Sequence, residues 1–179
     1  MKIIKSLFLI IFLLILTGCK GDTFMEDYPQ LTDKKHIYEV IDINKMFNII
    51  DNQEDCIVVM GFKDCPWCQS LVPYLNEVGK AEGLSEIYYL DIKDMRDNEE
   101  SVDHKGYLEL KEYFNDAVDQ EKDRINAPTV LAIKDGELAG FHLDTVSTHV
   151  MEGTILPKLT VEQEEELKGI LSTLINKIK

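Results

Sequence analysis

Cys65-Pro66-Trp67-Cys68 sets two thiols two residues apart, after the apolar, β-branched run Cys56-Ile57-Val58-Val59-Met60-Gly61-Phe62 and at the start of a helical pattern. The run reads as a strand buried on both faces, ended by Lys63-Asp64. Leu71, Val72, Leu75 and Val78 follow at helical spacing, which puts Cys65 in the N-cap region and Pro66 in the first turn, where a missing N–H costs nothing. Unpaired backbone N–H groups and the positive end of the helix dipole favour a thiolate there, and the thiolate is the form that attacks a disulfide. Cys65 is therefore the expected nucleophile. Cys68, one turn further on, can attack the mixed disulfide formed by Cys65 and release the partner, so it is the expected resolving thiol.

Such a pair has two other uses. Half of a zinc site needs a second Cys or His pair, yet His36, His104, His142 and His149 are scattered singly and Cys56 lies inside the strand. No metal and no cofactor are expected. A purely structural disulfide also fits the spacing, although a strained, exposed bond of this kind is more often the labile, catalytic sort. Cys56 reads as an inert strand residue.

The first residues set the compartment. Lys2 and Lys5 precede the apolar stretch Leu7 to Leu16, which is too short to span a bilayer and suits the h-region of a secretory signal. Its end, Leu16-Thr17-Gly18-Cys19, resembles the lipobox of bacterial lipoprotein signal peptides. The resemblance implies cleavage after residue 18 and an extracytoplasmic protein anchored to the bacterial membrane through a diacylglyceryl Cys19. An ordinary signal peptide that happens to precede a cysteine is the other reading. Export places the dithiol where disulfides persist.

Loss of residues 1–18 removes two lysines, leaving 17 Lys and Arg against 33 Asp and Glu, a charge of −16. That balance argues against nucleic acid as a partner, because a phosphate-binding surface needs clustered Lys and Arg. Residues 19–33, beginning with the lipidated cysteine, are mostly polar with one Pro and read as a flexible tether. Residues 34–179 then form one domain, large enough to bury a core without structural disulfides.

Within it, His36–Ile41 reads as a first strand, Asp42 as the cap of a short helix through about Ile50, and Ile57–Phe62 as the central strand. After the dithiol helix come a strand over Glu86–Ile92 and a polar loop from Lys93 to Lys105. A helix follows with an apolar face of Tyr107, Leu108, Leu110, Tyr113, Phe114 and Val118. Pro128 precedes a strand over Thr129–Ile133, which Asp135-Gly136 joins to Leu138–His142 as a hairpin. A last helix starts at Thr160, where Gln163 completes a capping box. It turns Leu167, Ile170, Leu171, Leu174, Ile175 and Ile178 to the core and the acids Glu162, Glu164, Glu165 and Glu166 to solvent.

With its dithiol at the start of the helix after the central strand, this order of elements resembles the thioredoxin-like superfamily over roughly residues 34–179. The resemblance implies an α/β fold, a central mixed β-sheet flanked by helices. It also implies that Ala127-Pro128-Thr129 is a cis-proline loop beside the dithiol, where the Ala127 backbone pairs with a client strand and Pro128 keeps a metal or second thiol from crowding the sulfurs. Trp67, Ala127, Pro128 and Thr129 are accordingly the expected substrate-binding residues, with Trp67 either a platform for the client or a cover for the sulfurs.

Departures from the family are informative. The buried acid and the lysine that move protons at the resolving thiol of thioredoxins fall at Val59 and Tyr89 here, so that relay is missing and Lys63 or Asp64 is the remaining acid–base help. Pro66 is similar to the leading proline of glutaredoxins and periplasmic disulfide oxidases. Trp67 supplies no cation to the Cys65 thiolate, so a potential less extreme than that of the strongest oxidases is expected. Lys93–Arg124 is longer than the minimal family pattern, which points to an elaborated helix or lid.

The leading expectation is a membrane-anchored thiol–disulfide oxidoreductase acting on cysteines of exported proteins, with an extracytoplasmic or membrane redox partner. Reduction, oxidation and isomerisation all stay open as its direction. The alternatives are a copper-binding chaperone using the two thiols with His149 or Met151, and a non-catalytic binding lipoprotein on the same fold.

Overall fold

Residues 23–179 are described by the computed structural model; the signal at 1–18, Cys19 and residues 20–22 lie outside the described residues. The elements in chain order are α1 (Thr23–Asp27), β1 (Tyr38–Ile41), α2 (Ile43–Asp51), β2 (Cys56–Gly61), α3 (Pro66–Ala81), β3 (Ile87–Asp91), α4 (Lys93–Asp97) and α5 (His104–Tyr113). They continue with β4 (Val118–Asp119), β5 (Arg124–Ile125), β6 (Thr129–Lys134), β7 (Glu137–Leu143) and α6 (Val161–Ile175).

Five strands form one mixed sheet in the order β1-β3-β2-β6-β7, in which β1, β3 and β2 run parallel while β6 and β7 are antiparallel additions. The sheet is flanked by helices, giving an α/β architecture. Every residue of β2 is buried, as its continuous apolar run requires of a central strand. The two-residue period of the strands divides the core in two. Ile57, Val59, Ile87, Tyr89, Val130 and Ala132 pack with α1, α3 and α6, whereas Val58, Met60, Tyr88, Leu90, Leu131 and Ile133 pack with α2, α4 and α5.

Local signals fix the ends of these elements. Asp42 accepts the Lys45 N–H at 2.8 Å and caps α2, and Thr160 with Gln163 forms the reciprocal capping box of α6. Asp135 and Gly136 turn the β6–β7 hairpin at φ 52° and 78°, and a Cβ on Gly136 would stand 2.5 Å from the Ile50 carbonyl oxygen, so only glycine fits. Strand limits otherwise differ from the sequence reading by a residue or two.

Three expectations need correction. Over its described part the stretch 23–33 is no flexible tether, because Phe24, Tyr28 and Leu31 are buried in the core shared by α3 and α6. The Phe24 ring lies 4.8 Å from those of Tyr28 and Tyr38, and Asp33 bonds Lys80 at 2.5 Å and Asn76 at 3.2 Å. The Lys80 bond, then the Lys35 N–H at 2.9 Å and Asn76, hold the Asp33 carboxyl down at about 2. Burying two aromatic rings offsets the entropy of ordering a mostly polar segment.

The second correction concerns Lys93–Lys105, which contains α4 and the start of α5 rather than loop alone. Met95 is seated in the core and its carbonyl accepts from His104 Nδ1 at 2.8 Å. The third is Val118, which leaves the helix after a 3-10 turn over Asn115–Ala117 and pairs with Ile125 in the β4–β5 ribbon.

Candidate thiol site

The C-terminal end of β2 delivers the chain into a short turn in which the Cys65 N–H donates to the Phe62 carbonyl at 3.1 Å. Cys65 is extended, at φ −87° and ψ 117°, and is the N-cap of α3 with Pro66 in the first turn. Its Sγ accepts the Cys68 N–H at 3.3 Å, one of the donors a helix start leaves unused. In the thiol form Sγ also donates to the Ala127 carbonyl at 3.2 Å. Both cysteines are free, Cys65 only 4% exposed and Cys68 fully buried.

The two sulfurs are pushed in opposite directions. The Cys65 thiol lies below its ordinary value because the Cys68 side chain hydrogen-bonds to it and the Cys68 and Trp67 backbone N–H groups add to that, against burial and the Asp144 charge. Cys68 is driven far up, first by burial and then by its bond and proximity to Cys65. When the dithiol loses one proton, the negative charge therefore sits on Cys65.

Ala127 and Pro128 are joined by a cis peptide bond next to this pair. Thr129 is fully buried and spends its hydroxyl on the Asn126 carbonyl at 2.8 Å, so its side chain faces its own loop. Trp67 is half-buried, packs on the core and lines a cavity of about 760 Å³ with Phe141, Asp144, Val150, Met151 and Ile170. Asp144 donates its N–H to the Pro128 carbonyl at 3.0 Å and takes a left-handed backbone at φ 55°. Although the residue is exposed, protein atoms gathered round its carboxyl push it above the usual carboxylate range.

Lys63 and Asp64 do not reach for the sulfurs. Lys63 pairs with Asp27 at 3.1 Å and Asp64 with Lys93 at 2.5 Å, and these exposed pairs raise the amine and lower the carboxyl respectively. At the two positions where thioredoxins carry a proton relay, Val59 is buried hydrocarbon and the Tyr89 hydroxyl is bonded to that of Tyr28. Gly61 makes room for this grouping, since a Cβ there would be 3.0 Å from Cys68 Sγ and 3.2 Å from Tyr89 Oη.

Helix α4 clamps the turn from the other side. The Arg96 guanidinium lies 5.1 Å from the centre of the Phe62 ring, donates to the Ile125 carbonyl at 3.4 Å and forks onto Asp97 at 2.7 and 2.9 Å. Phe62 itself supplies one of the two carbonyls that Cys65 contacts, and Ile125 lies two residues before Ala127, which supplies the other. Tyr28, Arg96 and Asp144 were all missed by sequence reasoning. Tyr28 carried a usable signal, the helical spacing of Phe24, Tyr28 and Leu31, which the polar surroundings masked.

Of the residues of the chaperone alternative, Met151 and His149 both line the cavity that Trp67 lines. His149 is buried, its Nε2–H donates to the Pro157 carbonyl at 2.8 Å, and Nδ1 meets the Thr145 hydroxyl at 2.7 Å, which engages both ring nitrogens. Cys56, at the opposite end of β2, is 8% exposed, and burial followed by the Glu54 charge pushes its thiol up to about 12. No protein-family model matches the chain, and no curated protein matches it either.

Proposed function

We propose that this protein is a membrane-anchored, extracytoplasmic thiol–disulfide oxidoreductase with a thioredoxin-like fold, acting on cysteines of exported proteins. The observation that carries the reading is two free thiols at one helix start, where Cys65 Sγ accepts the Cys68 N–H at 3.3 Å and lies 3.2 Å from the Ala127 carbonyl oxygen while Cys68 is fully buried behind it. The strand order, the dithiol beyond the C-terminal end of a central parallel strand and the cis Ala127–Pro128 bond beside it support the family resemblance. Lipidation of Cys19 supplies the anchor, and the Ala127 backbone with Trp67 holds the client.

In the reducing direction the Cys65 thiolate attacks one sulfur of a client disulfide, a Cys65–client bond forms, and the other client sulfur leaves as a thiolate. Cys68 then attacks Cys65 Sγ, the Cys65–Cys68 bond forms, and the client sulfur departs with the proton Cys68 has lost. Two electrons pass from the dithiol to the client. Oxidation is the same path reversed, with an extracytoplasmic or membrane redox partner resetting the pair.

Cys68→Ala removes the second step, so mixed disulfides between Cys65 and exported proteins accumulate in cells. Non-reducing gels with mass spectrometry read them directly. Their absence would reject disulfide exchange as the function.

A further inference from the structure

Tyr28 and Tyr89 are both buried, at 1% and 3% exposure, and among the described residues their hydroxyls hydrogen-bond only to each other. Two O–H groups joined by one bond leave one proton without an acceptor. A buried polar hydrogen left idle is destabilising, and such a group calls for an explanation. Cys68 Sγ and Tyr89 Oη both border the space that a Cβ on Gly61 would fill, at 3.0 and 3.2 Å from it, which places the pair of phenols beside the thiol that must ionise for a mixed disulfide to be resolved.

Resting on the oxidoreductase reading, we propose that Tyr89, backed by Tyr28, donates a hydrogen bond to the Cys68 sulfur as that sulfur becomes a thiolate, and so drives the resolving half of the reaction. In the dithiol form Tyr89 and Cys68 are not hydrogen-bonded, and the bond forms as charge develops. Tyr28 donates to Tyr89, which frees the Tyr89 proton for the sulfur. Burial raises both phenols far above neutral pH, so the pair keeps its protons and acts as donor rather than base.

The covalent step is unchanged in balance. Cys68 attacks Cys65 Sγ, the Cys65–client bond breaks, and the Cys68 proton ends on the departing client thiol. By microscopic reversibility the same bond stabilises Cys68 as leaving group when a client thiolate opens the Cys65–Cys68 disulfide. Tyr28 belongs to the segment that precedes β1, so that segment contributes a working group and not merely a connection.

The test uses the reduced protein mixed with equimolar dithiobis(nitrobenzoate), whose thiolate product is coloured. Cys65 attack releases the first equivalent and Cys68 resolution the second. Tyr89→Phe is expected to leave the first release within about two-fold and to slow the second about ten-fold or more, the effect of losing a hydrogen bond to a charged group. Tyr28→Phe slows it less. The double variant Y28F/Y89F, which strands no hydroxyl and so judges the case if the single variant folds poorly, slows it as much as Tyr89→Phe.

A second release as fast as wild type in the double variant would overturn the proposal, and so would equal slowing of both releases, which is the mark of a structural role. If wild-type protein gives no second equivalent, the oxidoreductase reading itself fails and takes this proposal with it. The two failures are therefore distinguishable.

Discussion

The two ends of β2 carry thiols of opposite character. Cys56 opens the strand and Cys65 stands just past its end, and they are buried to nearly the same degree, at 8% and 4% exposure. Burial alone would raise both. Cys56, beside Glu54 and with no donor among the described residues aimed at it, is raised to about 12, whereas Cys65 is lowered because Cys68 and the first backbone N–H groups of α3 point at its sulfur. Donors directed at a sulfur outweigh its desolvation. Cys68 makes the same point within three residues, since it is fully buried and pushed up.

The sharpest way to break this comparison is to remove each thiol in turn. Cys65→Ser should abolish reduction of a model protein disulfide, while Cys56→Ser should leave the rate within about two-fold, as a residue outside the chemistry does. A comparable loss from Cys56→Ser would mean that the far end of the strand takes part. Phe24→Ala sharpens the contrast with a smaller effect on chemistry and a large one on stability. Truncating this buried ring should cost about 3–5 kcal/mol in urea unfolding. Because Phe24 packs in the core that holds Cys68, and Cys56 belongs to the core on the other sheet face, the variant should expose Cys68 to alkylation and leave Cys56 slow. Unchanged stability would return residues 23–33 to the role of a tether.

What the sequence revealed follows the same division. The dithiol, its N-cap and the central strand were legible because each rests on local rules: an apolar run, Pro after the capping residue and helical spacing beyond. The Asp42 cap, the Asp135-Gly136 turn and the Thr160–Gln163 box were legible for the same reason. Groups brought to the thiols by tertiary packing were not. Tyr28 reaches Tyr89 across 61 positions and lies in a stretch whose polar composition outweighed two aromatic residues. Arg96 sits on a five-residue helix held by one buried methionine, too short for periodicity to show. Thr129, expected among the substrate-binding residues through resemblance, spends its hydroxyl on the Asn126 carbonyl, a bond set by the fold of its own loop.

Site-resolved alkylation against pH tests the central claim most directly. The reduced protein would be pulsed with iodoacetamide across a pH series, and each cysteine quantified by mass spectrometry. Because Cys65 lies below the ordinary thiol value of 9.0, its thiolate fraction and labelling rate should rise and level off below that pH, while Cys56, at about 12, and Cys68 stay unmodified near neutrality. Cys56 labelled as fast as Cys65, or a Cys65 midpoint at or above 9.0, would contradict the account.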